Sequence, residues 1–231
     1  MAPRSFTRFL FVFSTLVVFL AAAAMPQMAQ AAPQLSGSQG SAEGTFTASV
    51  ADGNAKVVPG AHAEGVVALP NREAFIASVV DGNRKVLRGV YAEGVFALPV
   101  LQQHYSMEVM ETPGTVTQFG MAALYGVTGL LAHNWLSGQG FFLLQVGQQI
   151  DLIYGDGRID SFKVTDIQSY QVTMPGSSYE GYVSLDTGRG TDSEGIFRRV
   201  YTGTRHVTFQ TCIEKNGDLS WGRLFVIAEK I

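Results

Sequence analysis

Cys212 is the one cysteine in 231 residues, so the chain cannot close a disulfide on itself. Its thiol is a buried inert group, a link to another chain, or a nucleophile. A nucleophilic thiol needs a cation to lower its pKa and an acid or base to move protons. The cation lies one strand on. Cys212 sits in the strand-like run His206 to Ile213 and Arg223 in the run Ser220 to Ala228, joined by Glu214-Lys215-Asn216-Gly217-Asp218-Leu219. With Asn216-Gly217 at the centre of a type I′ turn, Cys212 faces Trp221 and Gln210 faces Arg223. Cys212, Trp221 and Arg223 then share a face. Arg223 becomes the diagonal neighbour of the thiol at roughly 7–8 Å, a gap its guanidinium can cross and from which it can steady an oxyanion.

Four histidines are available as proton carriers: His62, His104, His133 and His206. His206 shares the strand and face of Cys212, but six residues of strand hold it roughly 20 Å away. His62 is replaced by Tyr91 in a second copy of its surroundings, and His104 falls in a connector. His133 ends the apolar run Gly129 to His133 and enters a loop with Gly138 and Gly140. A rigid element can present a side chain at such a position, and by elimination His133 is the partner of the thiol.

The elements that hold these residues are mostly strands. Val, Phe, Tyr and Thr are frequent, glycine is abundant and charge is sparse, a composition that favours β-structure. Ile150 to Tyr154 and Ile159 to Ile167 flank Gly155-Asp156-Gly157-Arg158 as a hairpin. Val116 to Tyr125 fits a short helix or a strand equally well. Ser177 to Arg199 reads as a long surface loop apart from Tyr182 to Leu185. Many short strands separated by turns predict a barrel or sandwich, here a mainly β domain with few short helices over residues 105–231.

The segment ahead of it has three parts. Residues 1–31 read as a signal peptide or uncleaved anchor: Arg4 and Arg8 precede an apolar run from Phe9 to Ala24, and Ala29 and Ala31 offer a cleavage site. The chain is therefore expected to be exported, to the cell envelope or beyond. Residues 32–45 form a Ser/Gly-rich linker. Residues 46–104 carry two copies of one unit, 46–70 and 75–99, in which Asp52-Gly53 and Asp81-Gly82 suggest two tandem β-hairpins covering or extending the domain behind them. With a formal net charge of −3 and no dense Lys/Arg cluster, nucleic acid is not an expected partner.

Several stretches together resemble the sortase family of cysteine transpeptidases. Val207-Thr208-Phe209-Gln210-Thr211-Cys212 is similar to the sortase T-L-x-T-C strand. Arg223 in Gly222-Arg223-Leu224-Phe225-Val226-Ile227-Ala228 matches the arginine of the next strand, and Leu130-Leu131-Ala132-His133-Asn134 matches the strand that ends in the catalytic histidine. Phe141 to Leu152 resembles the family's connection into the following strand. The likeness runs from about Thr115 to the C-terminus, with Phe209 standing where leucine is usual.

The resemblance implies a closed β-barrel and an endopeptidase-transpeptidase. In it Cys212 attacks a sorting-signal peptide bond, His133 shuttles protons, Arg223 steadies the oxyanion and Thr211 helps hold the substrate. The implied partners are the sorting-signal peptide of a surface protein and an amine acceptor, from a cell-wall precursor or a pilin lysine. A thiol hydrolase that passes the acyl group to water, and a non-catalytic barrel used for binding, are the rival readings. No cofactor is expected. The acids Glu180, Asp186, Asp192 and Glu194 are candidate Ca²⁺ ligands, set against a reading as a solvated acidic loop. Leu98-Pro99-Val100-Leu101 resembles the opening of a sorting signal, which raises a pseudosubstrate lid as an alternative to a commonplace Leu-Pro pair.

Overall fold

The computed structural model describes residues 69–103, 108–176 and 179–231. The signal segment, the linker, the first repeat copy, His62 and His104 lie outside the described residues. The strands are β1 (Leu87–Ala92), β2 (Phe96–Gln102), β3 (Val116–Phe119), β4 (Thr128–Leu131), β5 (Gln149–Tyr154), β6 (Ile159–Thr173), β7 (Gly181–Ser184), β8 (Gly190–Asp192), β9 (His206–Lys215) and β10 (Asp218–Lys230). They form one sheet in the order β10-β9-β4-β3-β2-β1-β5-β6-β7-β8, and a further pairing of β10 with β6 closes it. Eight strands thus make a barrel, from which β7 and β8 extend along β6. Closure removes the exposed edges that a flat sheet would carry. Two pairings are parallel, β2 with β3 and β4 with β9.

Alternation of side chains sorts the strands into two packed layers. Val90, Leu130, Phe141, Ile150, Leu152, Phe162, Phe209, Leu224 and Val226 fill one contiguous core. At its centre Phe96, Phe141 and Phe209 meet edge-on or tilted, with ring centroids 5.1–5.9 Å apart. Phe209, at the position where leucine was usual, therefore serves packing. Burial of each such ring is worth about 1.5–3 kcal/mol. Phe141 belongs to the 3-10 segment Ser137–Leu143, so its burial pins the loop that follows His133. A second layer is built by helix α3 (Ser193–Tyr201), whose Ile196, Val200 and Tyr201 pack with Leu131, Tyr170 and Phe225.

Three expectations are corrected here. The second repeat copy is not an appendage. Its start, 75–79, is the end of helix α1 (Arg72–Val79), capped by the Asn71 side chain, and its remainder supplies β1 and the first part of β2, strands paired with β5 and β3 inside the barrel. The barrel domain therefore begins before residue 105, and Asp81-Gly82 turns the chain from helix to strand instead of closing a hairpin. That turn is held by two N–H groups, of Asp81 and Gly82, donating to the Gly155 carbonyl at 3.0 and 2.7 Å. The hairpin of this copy is at Glu93-Gly94, where β1 meets β2. Its Leu98–Leu101 stretch lies within β2, fixed in the ladder and unable to serve as a lid. Residues 177–199, read as a loop apart from Tyr182 to Leu185, carry β7 at that exception and, beyond it, β8 and most of α3. The open choice at Val116 to Tyr125 resolves into both forms, β3 followed by the short helix α2 (Gly120–Ala123).

Candidate active site

The turn at Asn216-Gly217 has positive φ at both residues, 56° and 84°, as a type I′ turn requires. The expected register holds only next to it, where Asp218 pairs with Lys215. Between Asp218 and Gly222 a bulge shifts the ladder, and beyond it Gly222 pairs with Ile213 and Arg223 with Cys212. Trp221 is thus not the partner of the thiol. The bulge brings Arg223 from the diagonal to the position directly opposite Cys212, a closer arrangement than the unbulged count gives. Carbonyls of the same bulge hold the cation: Arg223 Nη1 donates to Ser220 O at 3.0 Å and to Gly222 O at 2.9 Å.

His133 arrives from the other side. β4 runs parallel to β9 with Thr128 level with Val207 and Leu131 level with Gln210, and the Ala132 N–H continues the ladder to Gln210 O at 3.3 Å. Carried on at the same step, the register sets His133 level with Cys212. Arg223 and Cys212 are therefore directly opposed on adjacent strands about 4.8 Å apart, and His133 follows Leu131, the last residue of β4, by two positions beside the same stretch of β9. Nε2 of His133 lies 3.3 Å from Val109 O and 4.0 Å from Glu111 Oε1. The Trp135 ring stacks on the imidazole, with centroids 4.2 Å apart and planes inclined by 21°. One nitrogen thereby lies beside a backbone carbonyl and one ring face is covered.

Cys212 is partly buried. Burial pushes its thiol pKa up, the Arg223 guanidinium opposes this, and Glu180 and Asp218 add to the rise. The net result keeps the thiol protonated at neutral pH. Glu180 also accepts from the Tyr182 hydroxyl at 2.5 Å and from the Gly176 N–H at 3.0 Å. Burial and this carboxylate hold the Tyr182 hydroxyl well above the usual phenol range. Glu180, Tyr182, Trp135 and Val109 went unremarked in the sequence as partners of the thiol and imidazole. Only Trp135, two residues after His133, was near enough in the chain to be found.

Thr211, expected to help hold the substrate, belongs to β9. It is 2% exposed and, one residue before Cys212, points to the opposite face of β9, under Gly138. A Cβ on Gly138 would collide with Thr211 Oγ1 and lie 2.6 Å from His133 O. Thr211 therefore packs against the loop that carries His133. His206, excluded by distance, is buried, with its two ring nitrogens 2.7 Å from Thr204 O and 2.9 Å from Val200 O.

The acids weighed as Ca²⁺ ligands do not converge. Asp192 caps α3 through the Gly195 N–H, and Glu194 pairs with Arg198. Among the described residues no three His, Cys, Asp or Glu side chains are grouped to hold a metal ion.

No protein-family model matches the sequence, and no curated protein matches it. Among solved structures the chain is similar to sortases. One is the sortase C1 of GBS Pilus Island 1, at 16% identity over 62% of this chain and 64% of that one, TM-score 0.39. Another is Listeria monocytogenes sortase A, at 14% identity over 65% and 88%, TM-score 0.40. A third is the sortase C-1 from Actinomyces oris, at 16% identity over 70% and 81%, TM-score 0.42. The match spans less than two thirds of the length of the first of these.

Proposed function

We propose that this chain is a sortase-like cysteine transpeptidase with Cys212 as nucleophile. The observation that supports the reading is the pairing of Cys212 with Arg223 across β9 and β10, beside the end of β4 from which His133 follows. In the forward half-reaction the Cys212 sulfur, as thiolate, attacks the carbonyl carbon of a sorting-signal peptide bond. Arg223 bears the negative charge of the tetrahedral oxyanion. Protonated His133 gives its proton to the departing amine, leaving a thioacyl-enzyme. In the second half-reaction an incoming amine, from a cell-wall precursor or a pilin lysine, loses a proton to His133 and displaces the sulfur. Water in place of the amine gives hydrolysis through the same intermediate. The proposed chemistry calls for no cofactor. Export through residues 1–31 would place the reaction at the cell envelope, the signal being cleaved or kept as an anchor.

Intact mass spectrometry with candidate sorting peptides tests this. The wild-type chain is expected to gain the acyl mass on Cys212 and to lose it faster in added amine than in water. Cys212→Ala should gain none, and His133→Ala should slow acylation by at least ~10³-fold. A wild type that forms no adduct with any such peptide, and whose thiol alkylates at a rate indifferent to His133 and Arg223, would leave a non-catalytic barrel.

A further inference from the structure

At the end of β9 away from Cys212, three cations converge on one carboxylate. Asp160, in β6, takes Arg158 Nη1 at 2.8 Å and Arg205 Nη2 at 2.5 Å on Oδ2, and Lys230 Nζ at 3.4 Å on Oδ1. These come from the β5–β6 turn, the α3–β9 connection and the end of β10. The Asp160 side chain is 10% exposed, whereas the three cationic side chains are 44–46% exposed, so their remaining N–H groups face solvent. Tyr154 orders the pair further. Its ring lies 3.6 Å beneath the Arg158 guanidinium, and its hydroxyl accepts from Arg205 Nη2 at 3.2 Å. Asp156, in the same turn, spends an oxygen on the Arg158 N–H at 3.1 Å.

One buried carboxylate thus fixes two guanidinium forks and an ammonium while cancelling one of their three charges. Side-chain ordering is already met, which is the condition under which arginine forks bind a tetrahedral oxyanion well. We propose that Arg158, Arg205 and Lys230 form a binding site for phosphate groups. The inference stands apart from the proposed catalysis, since it uses none of His133, Cys212 or Arg223.

The full chain is titrated with inorganic polyphosphate, and its partition onto phosphatidylglycerol vesicles is compared with that onto phosphatidylcholine vesicles. Saturable polyphosphate binding is expected, and the combined change Arg158→Gln, Arg205→Gln should weaken it by roughly tenfold or more. The combined change Arg189→Gln, Arg198→Gln, which removes the same charge elsewhere, should not. A phosphatidylglycerol preference lost in the same double variant identifies a lipid headgroup as the source, and binding of polyphosphate alone identifies a free phosphate. Asp160→Asn separates an ordered site from a diffuse cationic film: it adds positive charge yet should weaken binding. Tighter binding by a folded Asp160→Asn chain overturns the proposal. So does the absence of saturable binding to either probe, or a double arginine variant that binds as the wild type does.

Discussion

The two ends of the β9–β10 ladder differ in how their polar groups are met. At the His206 end, each imidazole nitrogen lies beside a carbonyl, Thr208 Oγ1 donates to Val200 O, and Asp160 is shared by three cations. At the Cys212 end, Asn134 Oδ1, Ser137 Oγ and Thr211 Oγ1 are buried without a hydrogen-bond partner in the protein, and among the described residues these are the only such side-chain oxygens. A buried polar atom left unpaired costs about 1–3 kcal/mol. One end is therefore arranged for stability, while the other carries local costs around the residues that would do chemistry, a division expected of sites whose requirements conflict with tight packing.

The sharpest way to break this contrast is Gly138→Ala. The added methyl has nowhere to go but against Thr211 and the His133 carbonyl, so the loop must move. A displacement of the order of 1 Å at His133 should lower acylation by roughly 10²-fold, while far-ultraviolet circular dichroism remains that of the native barrel. Retained acylation would show that the loop is not held in place by this contact.

At the other end, His206→Ala should cost about 2–3 kcal/mol of unfolding free energy in urea, from lost burial and the lost partner of the Thr204 carbonyl, with the alkylation rate of Cys212 in the folded state unchanged. An equal effect on the thiol would mean that the two ends are not independent.

The smallest effect concerns charge at the thiol. Glu180 and Asp218 help to hold the Cys212 pKa up, so Glu180→Gln should move the alkaline rise of the alkylation rate to lower pH. Arg223→Gln should move it higher. Iodoacetamide kinetics against pH reads both, and a shift of either in the opposite direction contradicts the assigned electrostatics.

Much of this was legible in the sequence because it rests on local rules. The Asn216-Gly217 turn, the hairpin across Gly155 to Arg158 and the strand that ends at His133 follow from turn chemistry and apolar runs. What failed was non-local. The bulge between Asp218 and Gly222 leaves no mark in residue type, yet it decides which residue faces Cys212. The Asp81-Gly82 signal is real as a turn, but only the partners of β1 and β2 reveal that its repeat belongs to the barrel. Helix α3 was readable from its cap Asp192 and the spacing of Ile196, Val200 and Tyr201, and the loop-like residues before it hid the pattern. Strand alternation also sets Thr211 on the face of β9 opposite Cys212.

The bulge has a consequence for descent as well as for structure. The neighbour of the thiol is fixed by a count of residues, since excising one residue from Leu219 to Trp221 and running the ladder on regularly from the Asp218–Lys215 pair would set Arg223 opposite Thr211, on the face away from Cys212. A sister chain altered in that way would keep its histidine, cysteine and arginine and still lose their alignment. Activity in such a lineage is inherited as a length, and could be lost without a single substitution.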